Sequence, residues 1–230
     1  MDKRMYLGAL SALLAGSVLV LPSCKTGTPT GAVAGGSMSG TSTPTAPTFQ
    51  DYFFPYTAKY HAVYLQLLSS QSGGQAYAST GSVTVSVLSF GTNVATASYA
   101  NFDGSSTDTG TEFFSIQPDG SVSSVLTGGS GTSASTMSFS FAPQLLTPGA
   151  TVTVLPASQY DSASTLTQVG TESVSVPAGT YVALKCLSSQ GSPTGYQWYA
   201  PNVGLVKSTS TTTINAATIS TELDLESFTR

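Results

Sequence analysis

Apolar side chains recur at alternate positions along much of this chain, which is the period of a β-strand with one buried face. Near the C-terminus Leu223 and Leu225 alternate with Glu222, Asp224 and Glu226. Val83, Val85 and Val87 alternate with Thr84 and Ser86, Met137, Phe139 and Phe141 with Ser138 and Ser140, and Val182, Leu184 and Cys186 with Ala183 and Lys185. Turn chemistry separates these runs. In Gln117-Pro118-Asp119-Gly120 the proline sets φ, the Asp side chain closes a turn and the Gly tolerates positive φ, so 113–117 should pair with 121–126 as a hairpin. Thr147-Pro148-Gly149, Pro177-Ala178-Gly179 and Pro201-Asn202-Val203-Gly204 act in the same way. Past residue 48 no stretch has helical periodicity, although 143–146 admits one helical turn. The expectation is an all-β domain of about ten to twelve antiparallel strands. To cover its apolar face, such a sheet must curl into a half-barrel or barrel, or alternatively split into a two-layer sandwich.

Composition narrows the function. The 230 residues hold 7 Lys+Arg and 11 Asp+Glu, a net charge of -4, so no basic face is available for phosphate and a nucleic-acid partner is excluded. Ser (37) and Thr (33) are abundant, yet 40% of residues are hydrophobic, too many for a wholly disordered chain.

The N-terminus has a different character. Asp2, Lys3 and Arg4 precede an apolar and small-residue stretch from Met5 to Leu21, the layout of a secretory signal and short for a membrane span. It ends in Leu21-Pro22-Ser23-Cys24, which resembles the lipobox of bacterial lipoproteins. That resemblance implies removal of residues 1–23 and lipidation of Cys24. The following residue is Lys25, not the Asp that resembles an inner-membrane retention signal. The expected location is therefore the cell envelope, lipid-anchored, at the outer membrane or cell surface. Residues 25–48 contain one charge, no aromatic and no periodicity, and a coil of that composition spans about 27 Å. Aromatics begin abruptly at Phe49, which marks the start of a single β domain over 49–230.

One segment resembles a known group. Val176-Pro177-Ala178-Gly179-Thr180-Tyr181, then Trp198-Tyr199-Ala200-Pro201 with Val203-Gly204-Leu205-Val206-Lys207, then Glu222-Leu223 are similar to the second half of exported bacterial β-domains of unknown function. Those domains resemble the curved half-barrels of lipoprotein carriers, and the resemblance implies a concave apolar face. Trp198, the only tryptophan, is expected to plug that face, and Trp198, Tyr196 and Tyr199 are the candidate ligand-facing residues. Lys207 is expected to pair with Glu172 or Glu222.

Reactive side chains are few. His61 is the only histidine, in an apparent strand, and no nucleophile elbow, phosphate loop or metal-binding histidine pair accompanies it. Cys186 falls at an apolar alternate position, as a buried inert thiol would. Asn101, Asp103, Asp108 and Glu112 gather oxygens around Gly104 and Gly110, but at no EF-hand spacing, so a solvated acidic loop is the expectation and a bound cation the alternative. The expected function is that of a non-enzymatic envelope lipoprotein, held to the membrane through Cys24, without cofactor, binding an apolar ligand or an envelope partner on a concave face. The alternative is a structural or adhesive module with a solid sandwich core.

Overall fold

The structure, a computed structural model, describes residues 46–104, 106–128, 135–156, 163–190, 194–214 and 216–230. Cys24, the signal and most of the linker lie outside the described residues. Among the described residues, twelve strands form one antiparallel sheet. In chain order they are β1 (His61–Ser72), β2 (Gln75–Phe90), β3 (Val94–Phe102), β4 (Thr107–Ile116), β5 (Val122–Gly128), β6 (Ser135–Phe141), β7 (Thr151–Leu155), β8 (Ser164–Val176), β9 (Gly179–Ser189), β10 (Thr194–Ala200), β11 (Gly204–Ile214) and β12 (Ala217–Thr229). The spatial order is β6-β5-β4-β3-β2-β1-β12-β11-β10-β9-β8-β7. Neighbours are thus joined by hairpins except where β1 meets β12. The sheet curls into a nearly closed barrel whose one seam lies between the edge strands β6 and β7. A two-layer sandwich is not what forms.

Alternation does what its period demands. Val83 and Val85 of β2, Phe139 of β6, Leu184 and Cys186 of β9, and Leu223 and Leu225 of β12 are buried in the interior. The 113–126 hairpin forms as expected, with Phe114 opposite Ser124 and Ile116 opposite Val122. A single 3-10 turn occupies Pro143–Leu146, beside the seam, with Leu145 fully buried.

One element has no periodic signal: a five-residue α-helix, α1 (Phe49–Phe53). The Asp51 carboxylate accepts from the Thr48 backbone N–H (2.6 Å) and hydroxyl (2.7 Å). So short a helix has little stability alone. Packing holds it: Phe53 stacks on Phe49 (4.7 Å between centroids) and Phe141 (5.5 Å) and lies tilted against Tyr199 (4.5 Å). The Asn202 N–H donates to the Asp51 carbonyl (2.6 Å), and Gln50 Nε2 donates to the Gly120 carbonyl (3.1 Å). The β4–β5, β6–β7 and β10–β11 connections all lie at this end of the barrel, so α1 plugs it.

Candidate ligand-binding lumen

Two layers line the barrel interior. Next to the plug lies an aromatic layer, in which Tyr56 packs against Phe114 (4.4 Å), Tyr60 (5.1 Å) and Phe54 (5.6 Å). The hydroxyls of Tyr60 and Tyr64 meet backbone. The β11–β12 ladder stops at Lys207 opposite Asp224, and past that point Tyr60 donates to the Val203 carbonyl (2.9 Å) and Tyr64 to the Leu205 carbonyl (3.1 Å). Burial pushes the Tyr60 phenol up to about 12 and those of Tyr56, Tyr64 and Tyr199 well above their ordinary range.

Above it the lining is polar. Gln168, Cys186, Gln197, Ser208, Leu223 and Gln66 are successive cross-strand partners on β8, β9, β10, β11, β12 and β1, forming one continuous buried row around half the barrel. Opposite this row, Glu112 of β4 is fully buried and accepts a hydrogen bond from the Ser124 hydroxyl. Burial raises its carboxyl to about 7, against the smaller opposing effect of Ser124. The Tyr199 hydroxyl donates to Gln197 Oε1. Gln66 Nε2, Gln197 Nε2 and Asn101 Oδ1 are buried with no protein partner. Leaving such a group unpaired costs about 1–3 kcal/mol. The enclosed face is therefore apolar in one layer and polar in the next.

Tyr99 lies against the wall of the lumen over two glycines that face each other on β4 and β5. A Cβ at Gly110 would fall 2.3 Å from the ring, whereas one at Gly128 would fall 2.0 Å from the hydroxyl but 3.2 Å from Cζ. Gly110→Ala should destabilise the fold by about 1–3 kcal/mol whatever the hydroxyl does. Gly128→Ala should be largely rescued by Tyr99→Phe, a difference that a denaturant-melt double-mutant cycle reads directly.

The sequence candidates divide between the two faces of the wall. Tyr199 faces the lumen. Trp198 and Tyr196 point the other way, and Trp198 does not plug the interior. Past a bulge at Val169, the far parts of β8 and β9 curl outward over β10 and β11. The Ala178 N–H reaches the Leu225 carbonyl of β12 (3.0 Å). Trp198 is buried beneath this hairpin, donating from Nε1 to Glu172 (2.6 Å), while Lys185 bonds Glu172 (3.0 Å) and lies over the Tyr196 and Trp198 rings. The indole N–H, followed by Lys185, holds the Glu172 carboxyl below its usual range. The same curl turns Val182 out to solvent. Lys207 pairs with Glu222 and with Asp224 (2.7 Å), not with Glu172.

Of the remaining candidates, Asp103 closes its own turn on Ser106 N–H (2.7 Å), Asn101 and Asp108 face each other across β3 and β4, and Glu112 lies deeper in the barrel. Among the described residues no three metal-ligating side chains come together. His61 Nδ1 is 2.8 Å from the Ser86 hydroxyl on the outer wall. Cys186 is free and fully buried, its thiol pushed up to about 12 by burial. The sequence reading missed the polar row. Gln66, Gln168 and Gln197 occupy inward positions of alternating strands, and a check for amides in phase with the apolar residues would have found them.

No protein-family model matches the chain, and no curated protein is significantly similar to it. Two solved structures align over most of its length. One is a candidate exported protein with a YmcC-like fold from Bacteroides fragilis, 15% identical, covering 78% of this chain and 99% of its own, with a TM-score of 0.38. The other is a candidate lipoprotein from Parabacteroides distasonis, 16% identical, covering 77% and 98%, also with a TM-score of 0.38.

Proposed function

We propose that this chain is a non-enzymatic lipoprotein of the bacterial cell envelope, anchored through Cys24, whose barrel takes up a ligand bearing hydrogen-bonding groups at the end opposite the plug. One observation carries the ligand reading: the amide nitrogens of Gln66 and Gln197 and the amide oxygen of Asn101 lie buried in the lumen without protein partners. An interior serving stability alone gains nothing from such groups, because an apolar residue of similar shape would relieve the cost. The lining favours a ligand with polar groups flanked by apolar surface over a purely aliphatic one. The non-enzymatic reading is supported by the position of the His61–Ser86 pair on the outer wall, with no carboxylate bonded to the ring among the described residues.

The test is native mass spectrometry of the protein purified from bacterial membranes, beside the Gln66→Leu/Gln197→Leu variant. The wild type is expected to carry a bound small molecule that the variant has lost while remaining folded. No bound mass in the wild type, together with a more stable variant, would reduce the amides to structural imperfections and overturn the ligand reading.

A further inference from the structure

We infer that the plugged end of the barrel seats directly on the lipid bilayer that carries the anchor. This rests on reading Cys24 as lipidated. The chain enters the domain at that end, through Thr48 and α1, so the expected tether joins the anchor to this end and not to the opposite one. Leu88, Phe90, Val94 and Phe113 are all exposed there. Leu88 is the extra residue of a bulge near the end of β2, Phe90 ends that strand, Val94 begins β3, and Phe113 lies opposite Thr96 on β4, diagonal to Val94. Four large apolar side chains gathered at one rim form a patch that water alone does not favour.

Charged side chains of both signs border the patch. Lys59 and Arg230 are exposed at the same rim, next to Leu88: the Val87 N–H donates to the Tyr60 carbonyl, and the Thr229 hydroxyl donates to the Lys59 carbonyl (3.5 Å). The acidic groups at this end are Asp51, held by Thr48, Asp119, held by Ser121, and the exposed Glu226 of β12. The apolar side chains, and not net charge, are what a bilayer interface would bury, with the long Lys59 and Arg230 side chains able to reach its headgroups. Seated this way, the barrel points its other end, and the polar layer of the lumen, away from the membrane.

Leu88 and Tyr77 provide a matched pair, 64% and 65% exposed at opposite ends of the barrel. Each is replaced by cysteine in the full-length lipoprotein, which is reconstituted into vesicles of phosphatidylethanolamine and phosphatidylglycerol and treated with a charged, water-soluble maleimide. The buried Cys186 thiol, pushed up to about 12, does not compete. The Leu88→Cys protein is expected to react at least tenfold more slowly than the Tyr77→Cys protein. Equal rates overturn the docking, as does protection in whole cells that is absent from vesicles, since a protein partner would then cover the patch. Intact mass reads acylation separately. An acylated chain with equal rates refutes the docking alone; an unacylated chain refutes the anchor, and its rate ratio with vesicles added, read in a Cys24→Ser background so that no second thiol reacts, still decides the docking.

Discussion

Replacing Glu112 by Gln should flatten the pH dependence of stability between pH 4.5 and about 7 and make the protein more stable than wild type at pH 8. Glu112 is fully buried and its carboxyl is raised from the ordinary 4.5 to about 7, chiefly by burial. Below pH 4.5 it is protonated both folded and unfolded, and the folded state pays no penalty. As the pH rises through the window the unfolded chain ionises first, so stability falls, and the loss is complete once the folded carboxyl also ionises above about 7. The displacement of about 2.5 in pKa, at 1.36 kcal/mol each, corresponds to about 3 kcal/mol. Gln keeps an acceptor for the Ser124 hydroxyl and cannot ionise. Glu172 and Asp119, both held below their usual range by hydrogen bonds, act with the opposite sign, losing stability on acidification, but they do so equally in both proteins and cancel in the difference. Urea unfolding at pH 4.5, 6, 7 and 8 measures the effect. Parallel curves for wild type and variant would mean that Glu112 is hydrated and ordinary.

Phe53→Ala should cost about 3–5 kcal/mol, the range for truncating a buried aromatic. Phe53 is the point at which α1, β6 and β10 meet, through its contacts with Phe49, Phe141 and Tyr199. Phe141 ends an edge strand, so the plug also stabilises the barrel beside its seam. For a domain of this size the melting temperature should fall by roughly 6–20 °C. Tyr77→Ala, at an exposed site on the opposite end, should change stability by no more than about 0.5 kcal/mol. A loss below about 1 kcal/mol for Phe53→Ala would show that α1 is an appendage and not part of the core.

Much of this architecture is legible in the residues. The Leu223 and Leu225 alternation yields β12, Gln117-Pro118-Asp119-Gly120 yields the β4–β5 hairpin, and Pro143 to Leu146 yields the 3-10 turn. Each depends on contacts a few residues apart, or on a period that one strand carries alone. Phe49 to Phe53 carries no such signal, since five residues are too few to display helical periodicity and the helix exists because Phe141 and Tyr199 receive it. Trp198 misleads for a related reason. Its size predicts burial, but which side of the sheet buries it depends on a bulge on β8, more than twenty-five residues earlier, that curls a hairpin outward.

Alternation along single strands determined that this chain is a curled antiparallel sheet, because a period of two sorts side chains by face without reference to any other strand. It did not determine what the enclosed face is made of. Gln66, Gln197 and Glu112 stand on three strands far apart in sequence, and only the order in which those strands pair brings them around one lumen. Inside and outside of a sheet are equivalent until the barrel closes, so the site is a property of that closure.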